Sequence, residues 1–143
     1  MMTKYWIVVA SKNHVQIGVR GGFAQANHGK SSALKRMQPG DWIIYYSSKL
    51  EFGKDDKCQA FTAIGQVKEG PIYTANMGNG FAPARRDVNF RPSNETPIAP
   101  LIPGLSFIAD KTHWGAPFRF GVVEIGREDF EKIARPMLGD VPS

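Results

Sequence analysis

At 143 residues the chain is long enough for one domain with a buried core, and its 42% hydrophobic and 22% charged residues are the balance of a soluble globular protein. No apolar run reaches the roughly 18 residues of a membrane span. The single cysteine, Cys58, excludes an internal disulfide, and the opening MMTKYWIVVAS lacks the long apolar region of a secretory signal, so a reducing, cytoplasmic setting is expected. The net charge of +5 suits an anionic partner such as nucleic acid without demanding one.

Residues 5–10 are a continuous apolar, β-branched run, which predicts a strand buried on both faces. Ser11-Lys12-Asn13-His14 reads as the polar turn that closes it. The glycine-bounded stretch that follows holds Phe23, the polar cluster Gln25, Asn27 and His28, and then Lys30. Ser31 and Ser32 supply an N-cap for a short helix over 33–37, which Pro39-Gly40 ends. A strand is expected over 42–46, a charged loop over 49–58, and a strand over 60–67 in which Gly65 marks a bulge or a close backbone approach. Glycines and prolines make 70–83 a loop. Residues 84–90 read as a strand on which Arg85 and Arg86 face opposite ways, so only one of them can enter a shared site.

Pro92, Pro97, Pro100 and Pro103 then break the chain into an irregular connection. A short apolar element at 105–109 and a turn-like Lys111-Thr112-His113-Trp114-Gly115 follow, and 118–125 reads as the last strand. The final helix starts near Arg127, with an acidic first turn and with Phe130, Ile133, Ala134 and Met137 on one face; Pro136 is expected to kink or end it. Strands dominate without βα alternation. The fold class this predicts is α+β, a single domain built as a small mixed β-barrel with flanking short helices.

Ala24-Gln25-Ala26-Asn27-His28-Gly29-Lys30-Ser31 satisfies a relaxed phosphate-loop pattern, which would suit a small nucleotide-acting enzyme with Lys30 and His28 as its catalytic groups. That mechanism needs a buried strand leading into the loop, so that amides at a helix start can cradle phosphates. Val19-Arg20-Gly21-Gly22-Phe23 is not such a strand, and a glycine-broken turn capping a helix is the plainer reading. His14, His28 and His113 are too scattered for metal-ligand spacing, and no nucleophile elbow is present. Phe23 and Trp114 are loop aromatics beside polar groups. Such residues either stack on a planar ligand such as a base or plug the end of a barrel in a protein-interaction module. Lys30, Lys35, Arg36, Arg85, Arg86 and Arg91 can line a phosphate-contacting rim or simply be solvated charge.

Taken together, Tyr5-Trp6-Ile7-Val8-Val9-Ala10-Ser11, Gly22-Phe23-Ala24-Gln25, His28-Gly29-Lys30, Pro39-Gly40-Asp41-Trp42, Tyr45-Tyr46-Ser47, Arg85-Arg86, Trp114-Gly115 and Phe118-Arg119-Phe120-Gly121 resemble the EVE domain family, in order and over nearly the whole chain. The resemblance implies a PUA-like fold and non-catalytic recognition of a modified base in DNA or RNA, with no cofactor and no particular protein partner. By that likeness a flipped base would enter between the Ser11 turn, the Phe23-Ala24-Gln25 segment, the strand end at Tyr46-Ser47 and the Trp114 loop. It would stack on Trp114 or Phe23 while Ser11, Gln25 or Ser47 meets its edge. Lys30, Arg85, Arg86 and Arg119 would form the phosphate rim, and Gly21-Gly22 would let backbone approach the ligand.

Overall fold

In the computed structural model, which describes residues 2–26 and 30–140, the run YWIVV forms strand β1 (Tyr5–Val9). It lies between β3 (Trp42–Lys49), to which it is parallel, and β8 (Val122–Ile125), to which it is antiparallel. The sheet continues from β3 through β4 (Lys57–Val67) and β6 (Ala84–Phe90) to β2 (Phe23–Ala24), giving the order β2-β6-β4-β3-β1-β8. Two short strands add to its margins, β5 (Tyr73–Thr74) on β6 and β7 (Thr96–Pro97) on β4. The sheet is mixed and curls into a half-barrel, whose end strands β2 and β8 do not pair.

Alternation along the strands divides the apolar residues between two cores. Trp6 and Val8 of β1 and Ile43 and Tyr45 of β3 pack with Val15 of helix α1 (Lys12–Gly21), with Ala33 and Leu34 of helix α2 (Ser32–Lys35), and with Met37. Ile7, Ile44 and Tyr46 point the other way and meet Phe61, Ile64 and the apolar face of helix α3 (Arg127–Leu138), namely Phe130, Ile133, Ala134 and Met137. Covering both faces explains why β1 and β3 read as continuous apolar runs. Each such side chain contributes about 1.5–3 kcal/mol on full burial.

Several expectations change. Ser11 to His14 is not a turn: Ser11 is the N-cap of α1, and Lys12, Asn13 and His14 are its first turn. The helix presents only a narrow apolar stripe to the sheet, Val15 and Gly18, while Ile17 and Val19 point to solvent, so its helical period is masked. Gly18 sits where a Cβ would lie 2.7 Å from the Phe23 carbonyl oxygen, and Gly22 closes the helix at φ +74. The segment 118–125 is not one strand. A 3-10 helix, Ala116–Phe120, precedes β8, and Gly121 at φ +78 makes the break. A second 3-10 helix, Ala99–Gly104, occupies the proline-rich connection. Pro136 neither ends nor starts α3; it falls in the last turn, and the helix runs on to Leu138. Gly65 does mark a close approach, since a Cβ there would be 2.7 Å from the Asn89 carbonyl oxygen.

The parallel pair is clamped at its start by Asp41, which is 3% exposed. One carboxylate oxygen accepts the Lys4 amide at 3.1 Å; the other accepts the Trp6 indole N–H and the Gln38 amide, each at 3.0 Å. Replacing Asp41 by alanine leaves three donors, one of them fully buried, without an acceptor. The expected loss is about 2–3 kcal/mol of unfolding free energy, read as a lower urea midpoint at unchanged slope. A loss under about 0.5 kcal/mol would show that the clamp is dispensable.

Candidate functional site

Because β1 and β3 are parallel, their carboxyl ends open on the same side of the sheet, at the Val9–Tyr46 pair. There the β3–β4 ladder is interrupted between Tyr45 and Tyr46 and again between Ser47 and Lys49, and Gln59 on β4 adopts φ +49. Such irregularities splay a strand end and re-aim its side chains. Two adjoining concavities occupy this end, of about 1280 Å³ and about 410 Å³. Val9, Ser48, Phe118 and Arg119 line both and form the wall between them.

The larger cleft gathers most of the residues expected from the sequence: Ser11, Phe23, Gln25, Lys30, Arg85 and Arg119. The Arg85 guanidinium lies 3.9 Å from the centre of the Phe23 ring, and its Nε donates to Gln25 Oε1 at 3.1 Å. Phe23 also rests against Gly21, where a Cβ would come within 2.4 Å of the ring. Phe23 is therefore not a free stacking platform. It supports Arg85, and the guanidinium is the planar surface turned to the cleft. Gln25 is held from below by Tyr45, whose hydroxyl accepts the Gln25 amide and donates to the Gln25 carbonyl, both at 3.3 Å. Ser11 Oγ donates to Asn13 Oδ1 at 2.8 Å, which leaves its lone pairs as acceptors. Lys49 joins Lys30, Arg85 and Arg119 in the lining, and no aspartate or glutamate among the described residues lines either concavity.

Tyr46 and Trp114 belong instead to the smaller cavity, with Gln59 and His113. Trp114 stands perpendicular to the Tyr46 ring, with centroids 6.5 Å apart, while Tyr46 stacks on Phe118 at 4.3 Å. The pocket expected as one is thus two lobes. Ser47 reaches neither: it is fully buried, with its Oγ bonded to Thr62 Oγ1 at 2.8 Å inside the sheet.

Arg86 is likewise not on the rim. It faces the interior at 9% exposure, and its Nη1 donates to the Met37 carbonyl at 2.8 Å, just past the end of α2, and to the carbonyl of Leu34 within α2 at 3.4 Å. Arg36 lies over Trp6 and Arg91 over Trp42, and neither lines the cleft. Asn27, His28 and Gly29, the middle of the phosphate-loop-like pattern, fall outside the described residues. Its flanks do not supply the context that pattern needs: β2 is a two-residue antiparallel strand at the sheet edge, and α2 has four residues with no side-chain cap from Ser31. The sequence reading missed Tyr45, Lys49 and the exposed Phe52, Met77, Phe81 and Phe120. Only Tyr45 carried a signal, the alternation that must point it away from Tyr46.

A protein-family model, EVE domain, matches residues 4–135. The chain is 52% identical over 128 residues to "UPF0310 protein in gntR 5'region" of Bacillus licheniformis, covering 90% of this chain and 87% of that protein. It is 50% identical over 139 residues to UPF0310 protein msl3206 of Mesorhizobium japonicum, covering 95% and 93%. Among solved structures, the crystal structure of protein Atu2648 from Agrobacterium tumefaciens superposes with a TM-score of 0.58 at 13% identity, over 99% of this chain and 100% of that one. The solution structure of Rpa0253 from Rhodopseudomonas palustris gives 0.58 at 15% identity, over 93% and 92%. At these identities the two structures speak to the fold.

The buried tyrosines give the site a pH signature. Burial pushes Tyr45 up to about 12, with its hydrogen bond to Gln25 partly opposing the shift, and burial likewise pushes Tyr46 up to about 12. An unfolded tyrosine ionises near 10. Between pH 10 and 12 the unfolded chain therefore loses protons that the folded chain keeps, and stability falls as pH rises through that window. Melting temperature should hold to about pH 9.5 and then decline, and the decline should be shallower in Tyr45→Phe. An identical alkaline slope in wild type and variant would contradict the buried, neutral hydroxyl.

Proposed function

The chain belongs to the EVE domain family, and on that premise we propose that it is a non-catalytic reader of a modified base in DNA or RNA, seated in the larger cleft. The observation that carries this reading is the Phe23–Arg85–Gln25 unit, set in a cleft whose charged lining is entirely cationic. A guanidinium seated over an aromatic ring and fixed by a hydrogen bond is a preorganised surface on which a base can stack. The Gln25 amide and the Ser11 hydroxyl supply a donor and an acceptor for the base edge, and the backbone bonds from Tyr45 keep Gln25 in place. Lys30, Lys49 and Arg119 provide charge for phosphates, with no carboxylate side chain among the described lining residues to repel them. The cleft volume exceeds that of a single base, so added methyl or hydroxymethyl groups can be accommodated. Binding of this kind needs no bond to be broken, and the site residues act as donors, acceptors and a stacking surface.

The test is a polarisation panel of DNA and RNA oligonucleotides carrying methylated or unmodified cytosine and adenine. One modification should bind at least about tenfold more tightly than its unmodified partner. Gln25→Ala should collapse that preference, because an edge contact carries base identity. Lys30→Ala should weaken all oligonucleotides alike and reduce the salt slope by about one. Equal affinity for every base and modification would remove the reader function and leave only charge-driven binding. No binding to any oligonucleotide would remove the nucleic-acid reading altogether.

A further inference from the structure

More than half of the exposed large apolar side chains among the described residues surround one opening. Ile17, Phe52, Met77, Phe81 and Phe120 all line the larger cleft, Phe52 at 69% and Phe120 at 79% exposure. They come from separate parts of the chain: α1, the β3–β4 turn, the loop before β6, and the 3-10 helix before β8. Solvated apolar side chains converging on a single mouth mark an interaction surface. Here they alternate with cations: Lys49 precedes the Phe52 turn, Arg85 donates to Met77 Sδ at 3.3 Å, and Arg119 is next to Phe120 in the chain. An apolar peptide has no need of four cations without a carboxylate, whereas a polyanion that also presents flat rings needs both features.

The second observation is the smaller lobe itself. It has its own aromatic wall, Trp114 set edge-on to Tyr46 and Phe118, with the side chains of Gln59 and His113 beside it. His113 is paired through Nδ1 with Asp110 at 2.8 Å, and that pairing holds the Asp110 carboxyl below its usual value. Among the described residues, the only cation common to both lobes is Arg119, on the wall between them. Two cavities, each with room for a base and meeting at a shared arginine, suit the repeat of a nucleotide chain, in which each base is followed by a phosphate and then another base.

Resting on the nucleic-acid reading above, we propose that the two lobes form one composite groove for a single strand. Successive nucleotides occupy the larger cleft and the Trp114 lobe, Arg119 holds the phosphate between them, and the exposed phenylalanines receive flanking unpaired bases. A base flipped out of a duplex would fill one lobe while its neighbours stayed stacked in the helix, leaving the second lobe and the phenylalanine mouth without a role. A single strand engages all of them, because unpaired bases offer their faces to aromatic side chains along a cationic groove.

The experiment is a length and strand-state series on the intact wild-type chain: fluorescently labelled mononucleotide, dinucleotide and twelve-nucleotide strand of the base that binds best, and the same twelve-mer annealed to its complement. Affinity should rise at least about tenfold from mononucleotide to dinucleotide, the size of effect one stacked base brings, and the free strand should bind at least about tenfold tighter than the duplex. Trp114→Ala should bring the dinucleotide-to-mononucleotide ratio to within about threefold of one, and Trp114→Phe, which keeps a ring in the lobe, should restore most of it. Thermal melting of both variants checks that they are folded, and the wild-type series decides the matter without them. A wild-type ratio under about threefold, or a duplex that binds as tightly as the strand, overturns the composite groove while leaving a base reader standing. Absence of binding to every oligonucleotide, with an apolar peptide bound instead, overturns both.

Discussion

The parallel pairing of β1 with β3, locked at its start by the buried carboxylate of Asp41, is the constraint from which the rest of the architecture follows. A parallel pair cannot be closed by a tight turn; the chain must travel back along the sheet before β3 begins. That return contains α1, β2 and α2, and it covers one face of the sheet with Val15, Ala33 and Leu34. It also leaves Ser11 at the end of β1, beside the end of β3, and brings Phe23, Gln25 and Ala26 to the margin of the cleft. On the other side of β1, the Val9 amide donates to the Gly121 carbonyl at 2.8 Å and ties the segment with Phe118, Arg119 and Phe120 to the same edge. The cleft is the space these two connections leave around two strand ends.

Two neighbouring arginines show how backbone alternation assigns roles to identical side chains. Arg85 turns outward: it lies over Phe23, is bonded to Gln25, and forms part of the cleft lining. Arg86 turns inward and replaces its water with the Met37 and Leu34 carbonyls, with Nε left unpaired among the described residues. A buried guanidinium without a carboxylate is tolerable where carbonyl dipoles gather at a helix end. Its place is in the framework that holds α2 against β6, whereas Arg85 belongs to the site.

Much of this was legible in the sequence, and what was not has identifiable causes. The α+β class, the two-faced burial of the first strand, the amphipathic final helix and the close approach at Gly65 all follow from periodicity and residue type. Helix α1 was hidden because its buried stripe is only Val15 and Gly18, and because Lys12, Asn13 and His14 are equally good turn residues. The strand expected over 118–125 failed at Gly121, whose positive φ no apolar pattern announces. In the site, alternation foretold that only one of Arg85 and Arg86 could enter it but not which one. It also required Tyr45 and Tyr46 to part, yet only the register across β4 and β8 shows that Tyr45 underlies Gln25 and Tyr46 meets Trp114. The separation of Trp114 from Phe23 depends on where the 3-10 helix lays residues 116–120, which is a tertiary fact.

We propose the carboxyl ends of β1 and β3 as the binding face for a base in nucleic acid. This proposal is tested most directly by titrating isotopically labelled protein with an oligonucleotide and following amide and arginine side-chain resonances. The largest shifts should fall on Ser11, Gln25, Ser48, Lys49 and Arg119 and on the Arg85 guanidinium, while α3 and its core partners stay still. Shifts centred on α3, or spread over exposed lysines with Arg85 and Gln25 unmoved, would contradict it.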